Sequence, residues 1–262
     1  MSIEPDEETE EDQQSIPFNQ ASHLLASFTR FLTVCIHNIL YYRSIYPAET
    51  FLTSRAYNLP VHQSRHPKVC SWIGDAVDAV EAQLVLGAVE RIAVVIYDRQ
   101  ARVMERWMFD VASFPAWKGF NDVVGPRTEE EEELAEEAAE AEINTDNAET
   151  KVNWADVDEQ LRATIRKLAH AGEKMGALPE GCTFTIAVEL RDEGEAPIGH
   201  PQPWIPTQSN LQPESKEKQV PGQDVGGAKT IPLRAVEAGP LFFECWAEEG
   251  KAKEQLSSST SS

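Results

Sequence analysis

From about Asn19 to Tyr42 the chain runs without a glycine or a proline. Leu24, Phe28, Phe31, Cys35 and Ile39 recur at spacings of three and four, with Leu25, Leu32, Ile36 and Leu40 beside them. That stripe covers more than half of a helix's circumference. Such a helix, about 35 Å long at 1.5 Å per residue, must be covered by other elements on most sides. Arg30, Thr33, His37 and Asn38 interrupt the apolar run, which suits the central rod of a folded domain rather than a membrane span. It closes with "HNILYYRSIYP", where Pro47 ends the helix.

The remaining elements must therefore supply that cover. "AYNLPVHQSRHP" reads as an extended connection with two prolines, and Pro67 suits the first turn of a second helix. Val69, Ile73, Ala76 or Val77, Val80 and Leu84 form its apolar face, and Gly87 fits its C-terminal cap. "RIAVVIYD" is a β-branched run typical of a central strand, "DRQA" a turn and "RVMERWMFDV" its hairpin partner. A third helix begins after Asn153, with Val157, Leu161, Ile165 and Leu168 inward and Arg162, Arg166 and Lys167 outward, and stops at Gly176. "CTFTIAVEL" alternates as a strand, and "KTIPLRAVE" and "PLFFECWAEE" form two last strands. Helices on one face of a mainly antiparallel sheet, an α+β sandwich, is the packing this order predicts.

The formal charge of −21 is unevenly placed: residues 1–12 carry seven acids and residues 128–142 nine glutamates, neither with a base. Without those sixteen the net charge is −5, so the acidity belongs to a disordered tail (1–15) and an insert (121–152). No basic stripe tracks a phosphate backbone, which argues against direct nucleic-acid binding. Cys35, Cys70, Cys182 and Cys245 form no CxxC pair and suit reduced thiols in an intracellular protein. The acidic N-terminus lacks the apolar core of a secretory signal.

Reactive constellations are equally sparse. His62, His66 and Cys70 stand four apart, but Pro67 falls inside the set and prevents one regular helix from presenting all three. "VGGAK" at 225–229 opens a strand rather than a helix, unlike a phosphate loop. No nucleophile elbow, dinucleotide fingerprint, P-loop or HExxH motif occurs. Catalysis and a cofactor are not expected. What remains are the aromatics Tyr41, Tyr42, Tyr46 and Tyr57, expected around the first helix's end, with Trp72 and Trp204. Such rings serve either as interface anchors or as packing against the protein's own loops.

"ILYYRSIYP", "YNLPVHQSRHP", "RIAVVIYDRQARVMERWMFDV", "GCTFTIAV", "PWI" and "TIPLRAVEAGPLFFECWAEE" together resemble the HORMA-domain accessory subunits of DNA polymerase zeta, the Mad-two-B type. The similarity covers most of 18–110 and 153–249, in six blocks of matching order and spacing. It implies a HORMA domain over 16–250: a three-helix layer on a mainly antiparallel sheet, with 191–250 as a C-terminal safety belt and 251–262 as a disordered tail. Such a belt crosses over a partner peptide and re-pairs on the sheet's far side, so that backbone bonds give affinity and closure slows escape.

Residue by residue, the resemblance places Trp72 where the family keeps a groove-lining tyrosine. Trp204 matches the belt tryptophan that presses on the peptide's prolines, and Pro206 replaces an aliphatic neighbour. Tyr57 joins these three as an expected peptide contact. Arg162, with Lys167 close by, matches the helix-three arginine used in HORMA–HORMA dimerisation. Thr230, Glu244 and Trp246 lie where the family contacts the C-terminal domain of a Y-family polymerase; leucine, glutamine and tyrosine are usual there.

The function implied is a non-catalytic nuclear adaptor in translesion synthesis and DNA damage tolerance. It traps a proline-containing peptide of the polymerase zeta catalytic subunit and bridges it to a Y-family polymerase. A spindle-checkpoint or meiotic peptide-binding HORMA protein is the alternative within the fold. An acidic histone-binding chaperone is the alternative outside it.

Overall fold

The computed structural model describes residues 18–114, 152–191, 204, 227–253 and 255. The expected N-terminal tail and the acidic insert, apart from Val152, lie outside them.

Helix α1 (Phe18–Tyr42) is the rod that its periodicity predicts. Leu24, Phe28, Phe31, Leu32, Cys35, Ile36, Ile39 and Leu40 are all fully buried. By length and composition Gln20–Tyr42 could cross a bilayer, but here the domain's own elements cover it. Phe28 and Phe31 meet Phe243 at ring-centroid distances of 5.1 and 5.5 Å, the range of favourable aromatic pairs.

The segment read as an extended connection is instead a two-stranded hairpin, β1 (Phe51–Ala56) and β2 (Leu59–Ser64). Tyr57 and Asn58 turn it with φ of 51° and 55°, the doubly positive backbone of a tight hairpin turn. Neither residue is glycine, so the usual sequence signal for such a turn is missing. The hairpin is tied to α1 through two of its polar residues: Asn38 Oδ1 accepts from His62 N at 2.9 Å, and His37 Nδ1 accepts from Ser64 N at 3.4 Å.

Helix α2 (Pro67–Val85) begins on its proline, and Gly87 follows its end at φ 65°. Strands β3 (Val89–Tyr97) and β4 (Val103–Asp110) form the expected hairpin. Helix α3 (Trp154–Lys174) is capped by the Asn153 side chain, which accepts from Asp156 N at 3.3 Å. Strand β5 (Thr183–Leu190) follows, and β6 (Gly227–Ala238) and β7 (Leu241–Gly250) close the chain as a hairpin.

The five strands form one antiparallel sheet in the order β5-β3-β4-β7-β6. Ile92, Val94, Trp107, Phe109, Phe243, Cys245 and Ala247 join side chains from α1, α2 and α3 in one core. Their strand neighbours Ala93, Val95, Met108 and Trp246 meet on the opposite face, as period-two alternation requires. Residues 251–253, read as the start of a tail, form a helical turn instead, because Lys253 is drawn into a buried ion cluster.

Candidate functional site

The sheet has two edges, and they differ. On β6 the edge carries Pro232, with a register shift between Pro232 and Arg234, and Arg234 bonds to Gln160 of α3. Proline and irregular pairing blunt an edge. On β5 the sequence Thr-Phe-Thr-Ile-Ala-Val-Glu-Leu contains no proline, glycine or lysine, and among the described residues it pairs with β3 alone. Its outer backbone groups can accept an added strand.

Beside that edge lies a cleft of about 280 Å³, lined by Tyr46, Lys68, Val69, Trp72, Thr183 and Phe184. Phe184 stands edge-on to Trp72 at 5.2 Å and to Tyr46 at 6.4 Å. Three aromatics from three separate segments thus form apolar walls, with the Lys68 ammonium and the Thr183 hydroxyl as polar elements. Burial raises the Tyr46 phenol above its ordinary pKa, so it stays a neutral hydrogen-bonding group. Among the described residues the arrangement offers apolar walls next to a ladder with no second strand, and no nucleophile–base pair. It is suited to holding an extended chain.

The connection between β5 and β6 has the same bearing. Strand β5 ends at Leu190 on one edge, and β6 begins at Gly227 on the other. The sheet is about 19 Å across at 4.8 Å per spacing, whereas 36 residues can reach about 120 Å. The intervening chain is several times longer than the traverse needs.

The expected contact residues are distributed as follows. Trp72 is in the cleft. Trp204 is half-buried and is not one of the lining residues, and Pro206 lies outside the described residues. Tyr57 is remote from the other tyrosines: its hydroxyl donates to Ser27 O at 3.4 Å, 15 residues before α1's end, or about 22 Å along the axis. Burial, mainly, pushes that phenol's pKa up. Tyr41 instead stacks on His62 at 3.4 Å and meets Tyr42 edge-on. His62 is on β2, His66 precedes α2 and Cys70 lies within α2, where its thiol donates to Ser64 O at 3.1 Å.

Arg162 is half-buried on α3 and pairs with Glu159 at 3.3 Å. Lys167 is exposed beside a groove between α3 and β6 that also includes Thr230. Thr230 opposes Glu248, Trp246 opposes Pro232 and Glu244 opposes Ala235. Since Cys245 and Ala247 point into the core, the alternation puts Glu244 and Trp246 on the sheet's other face, and Trp246 Nε1 donates to Glu248 there at 2.8 Å.

Tyr46, one of the aromatics that the sequence offers as candidate interface anchors, lines the cleft, whereas the sequence does not single out Lys68, Val69, Thr183 and Phe184 as lining residues. Phe184 packs against the core cluster from β5, and its place at the sheet's edge also brings it to the cleft.

The family described as HORMA domain matches residues 25–230. The DNA polymerase zeta processivity subunit of Schizosaccharomyces pombe is 31% identical over 85% of this chain and 91% of that protein. The Homo sapiens protein called mitotic spindle assembly checkpoint protein MAD2B is 27% identical over 84% of this chain and 87% of its own length. Among solved structures, a chain of the mitotic checkpoint complex superposes with a TM-score of 0.58 at 18% identity, covering 88% of this chain and 98% of that one. C. elegans HTP-2 bound to the HIM-3 closure motif gives 0.52 at 14%, covering 90% and 92%. At those identities the structural likeness concerns the fold.

Proposed function

The chain belongs to the HORMA-domain family, in the branch of the polymerase zeta processivity subunits, and from that premise we propose that it is a peptide-trapping adaptor. The observation that carries this reading is the combination of a β5 edge with no second strand among the described residues and an overlong connection to the opposite edge. An extended peptide adds to β5 as a sixth strand and sets its side chains against Trp72, Phe184 and Tyr46. Residues 191–250 act as the belt: the linker passes over the peptide, and the β6–β7 hairpin anchors it on β4. Affinity comes from ladder bonds and apolar pockets, and enclosure by the linker slows dissociation.

The occupant in this reading is a proline-containing segment of the polymerase zeta catalytic subunit, with Trp204 and Pro206 closing over it from the linker. Thr230, Glu244 and Trp246 supply a second face for the C-terminal domain of a Y-family translesion polymerase, and Arg162 and Lys167 a face for another HORMA domain. The HORMA domain spans 16–250, and the adaptor works in the nucleus without chemistry of its own.

Peptide capture tests the belt. Removing 207–262 is expected to abolish retention, but it also removes core residues such as Phe243. Cutting the linker at a protease site introduced within 208–224 leaves every described element in place and opens the enclosure. A peptide already bound should dissociate from the cut chain at least tenfold faster than from the uncut one. An unchanged dissociation rate would sink the belt reading. MAD2B's checkpoint name supports a second reading, in which the same groove holds a checkpoint partner's peptide; competition between the two peptides for one chain separates them.

A further inference from the structure

Five charges join the C-terminal hairpin to the core beside β4. Glu105 is 0% exposed and Arg43, just past α1, is 5% exposed. Arg43 grips the carboxylate with two bonds, Nε to Oε2 at 2.8 Å and Nη2 to Oε1 at 2.7 Å. Its remaining N–H groups donate to the Gly172, Met175 and Gly176 carbonyls at α3's end, and Trp107 Nε1 donates to Glu105 at 3.3 Å. From the other side comes Lys253, 8% exposed, its Nζ 2.5 Å from Glu105 Oε1 and 2.6 Å from Glu249 Oε1. Lys229 reaches the other Glu249 oxygen at 3.4 Å.

The β4–β7 register makes this cation consequential. Glu105 and Glu249 are direct cross-strand partners, and like charges placed opposite one another destabilise a strand pair. Lys253 lies between them and turns the repulsion into a bridge. The cluster also divides cleanly. Arg43 and Glu105 belong to the core, whereas Glu249 and Lys253 both belong to the hairpin and the turn after it. When the hairpin leaves β4, Arg43 stays with Glu105, and Lys253 and Lys229 stay with Glu249, so departure strands no unpaired carboxylate of the kind that makes broken ion pairs so unfavourable.

We propose that Lys253 is a releasable latch that seats the C-terminal hairpin on β4. The inference rests on the reading of that hairpin as a belt, and its test needs no peptide. In the full-length chain, Lys253→Met should speed amide hydrogen exchange across β6, β7 and the β7-facing side of β4 at least tenfold. The β3–β5 amides should keep their protection, and Lys253→Arg should restore the seam. Adding Glu249→Gln to Lys253→Met removes the opposed charge, so protection should return in part, which a purely packing role for Lys253 would not produce. Unchanged exchange at the seam in Lys253→Met, equal loss over the whole sheet, or no recovery in the double variant would each overturn the latch. Peptide retention, measured separately, bears on the belt and not on this result.

Discussion

Gly172 sits where α3 meets the end of α1, and a Cβ there would lie 2.7 Å from Tyr42 Cβ. Gly172→Ala should therefore destabilise the chain by about 1–3 kcal/mol, the usual range for an overpacked contact, read as a lower urea midpoint. Trp72 is a different case because it walls a cleft. Trp72→Ala should weaken peptide binding by about 2 kcal/mol or more while shifting the melting temperature little; a loss below a few tenths would make the ring scaffolding only. His37 is 4% exposed and accepts a backbone bond, and burial holds its pKa below the ordinary 6.5. His62 shifts the same way for the same reason. Below pH 6.5 the unfolded chain takes up protons that the folded chain resists, so stability is fully present above that pH and declines beneath it. The urea midpoint should fall between pH 7.5 and 5.5, less steeply in His37→Gln; a flat profile would contradict the burial.

Elements were legible in the sequence where their signals are local. Pro67 at the start of α2, Asn153 before α3 and the β-branched run of β3 each specify an element within a few residues. Asn153→Ala should cost about 1 kcal/mol, the worth of a typical N-cap, measurable by thermal denaturation. The β1–β2 hairpin was not legible, since its turn uses Tyr57 and Asn58 at positive φ without a glycine and Pro60 reads as a break. Its pairing is secured by α1, through the Asn38 and His37 bonds to β2. Likewise nothing between 183 and 190 says that β5 is an edge strand. That depends on which strand occupies its other side, a contact separated by about a hundred residues in the chain.

For the whole molecule, the charge of −21 is concentrated in segments with little to bury, so the acidic insert and the folded body should be separable. Deleting 128–142 should leave both the melting temperature and peptide retention within error of the full chain; lost retention would assign the glutamates to the binding site. Hydrophobic periodicity, caps and β-branched runs sufficed to determine three helices, a mainly antiparallel sheet and the α1 rod at its centre, because those signals act over one or two turns of chain. The order of motifs also pointed to the family. Only the tertiary structure decided that the terminal hairpin pairs with β4 rather than β5, which of the described strands stand at the sheet's edges, and that Glu105 and Glu249 face one another across a lysine. Those outcomes depend on strand neighbours and buried charges brought together from distant segments, and residue spacing along the chain carries no record of them.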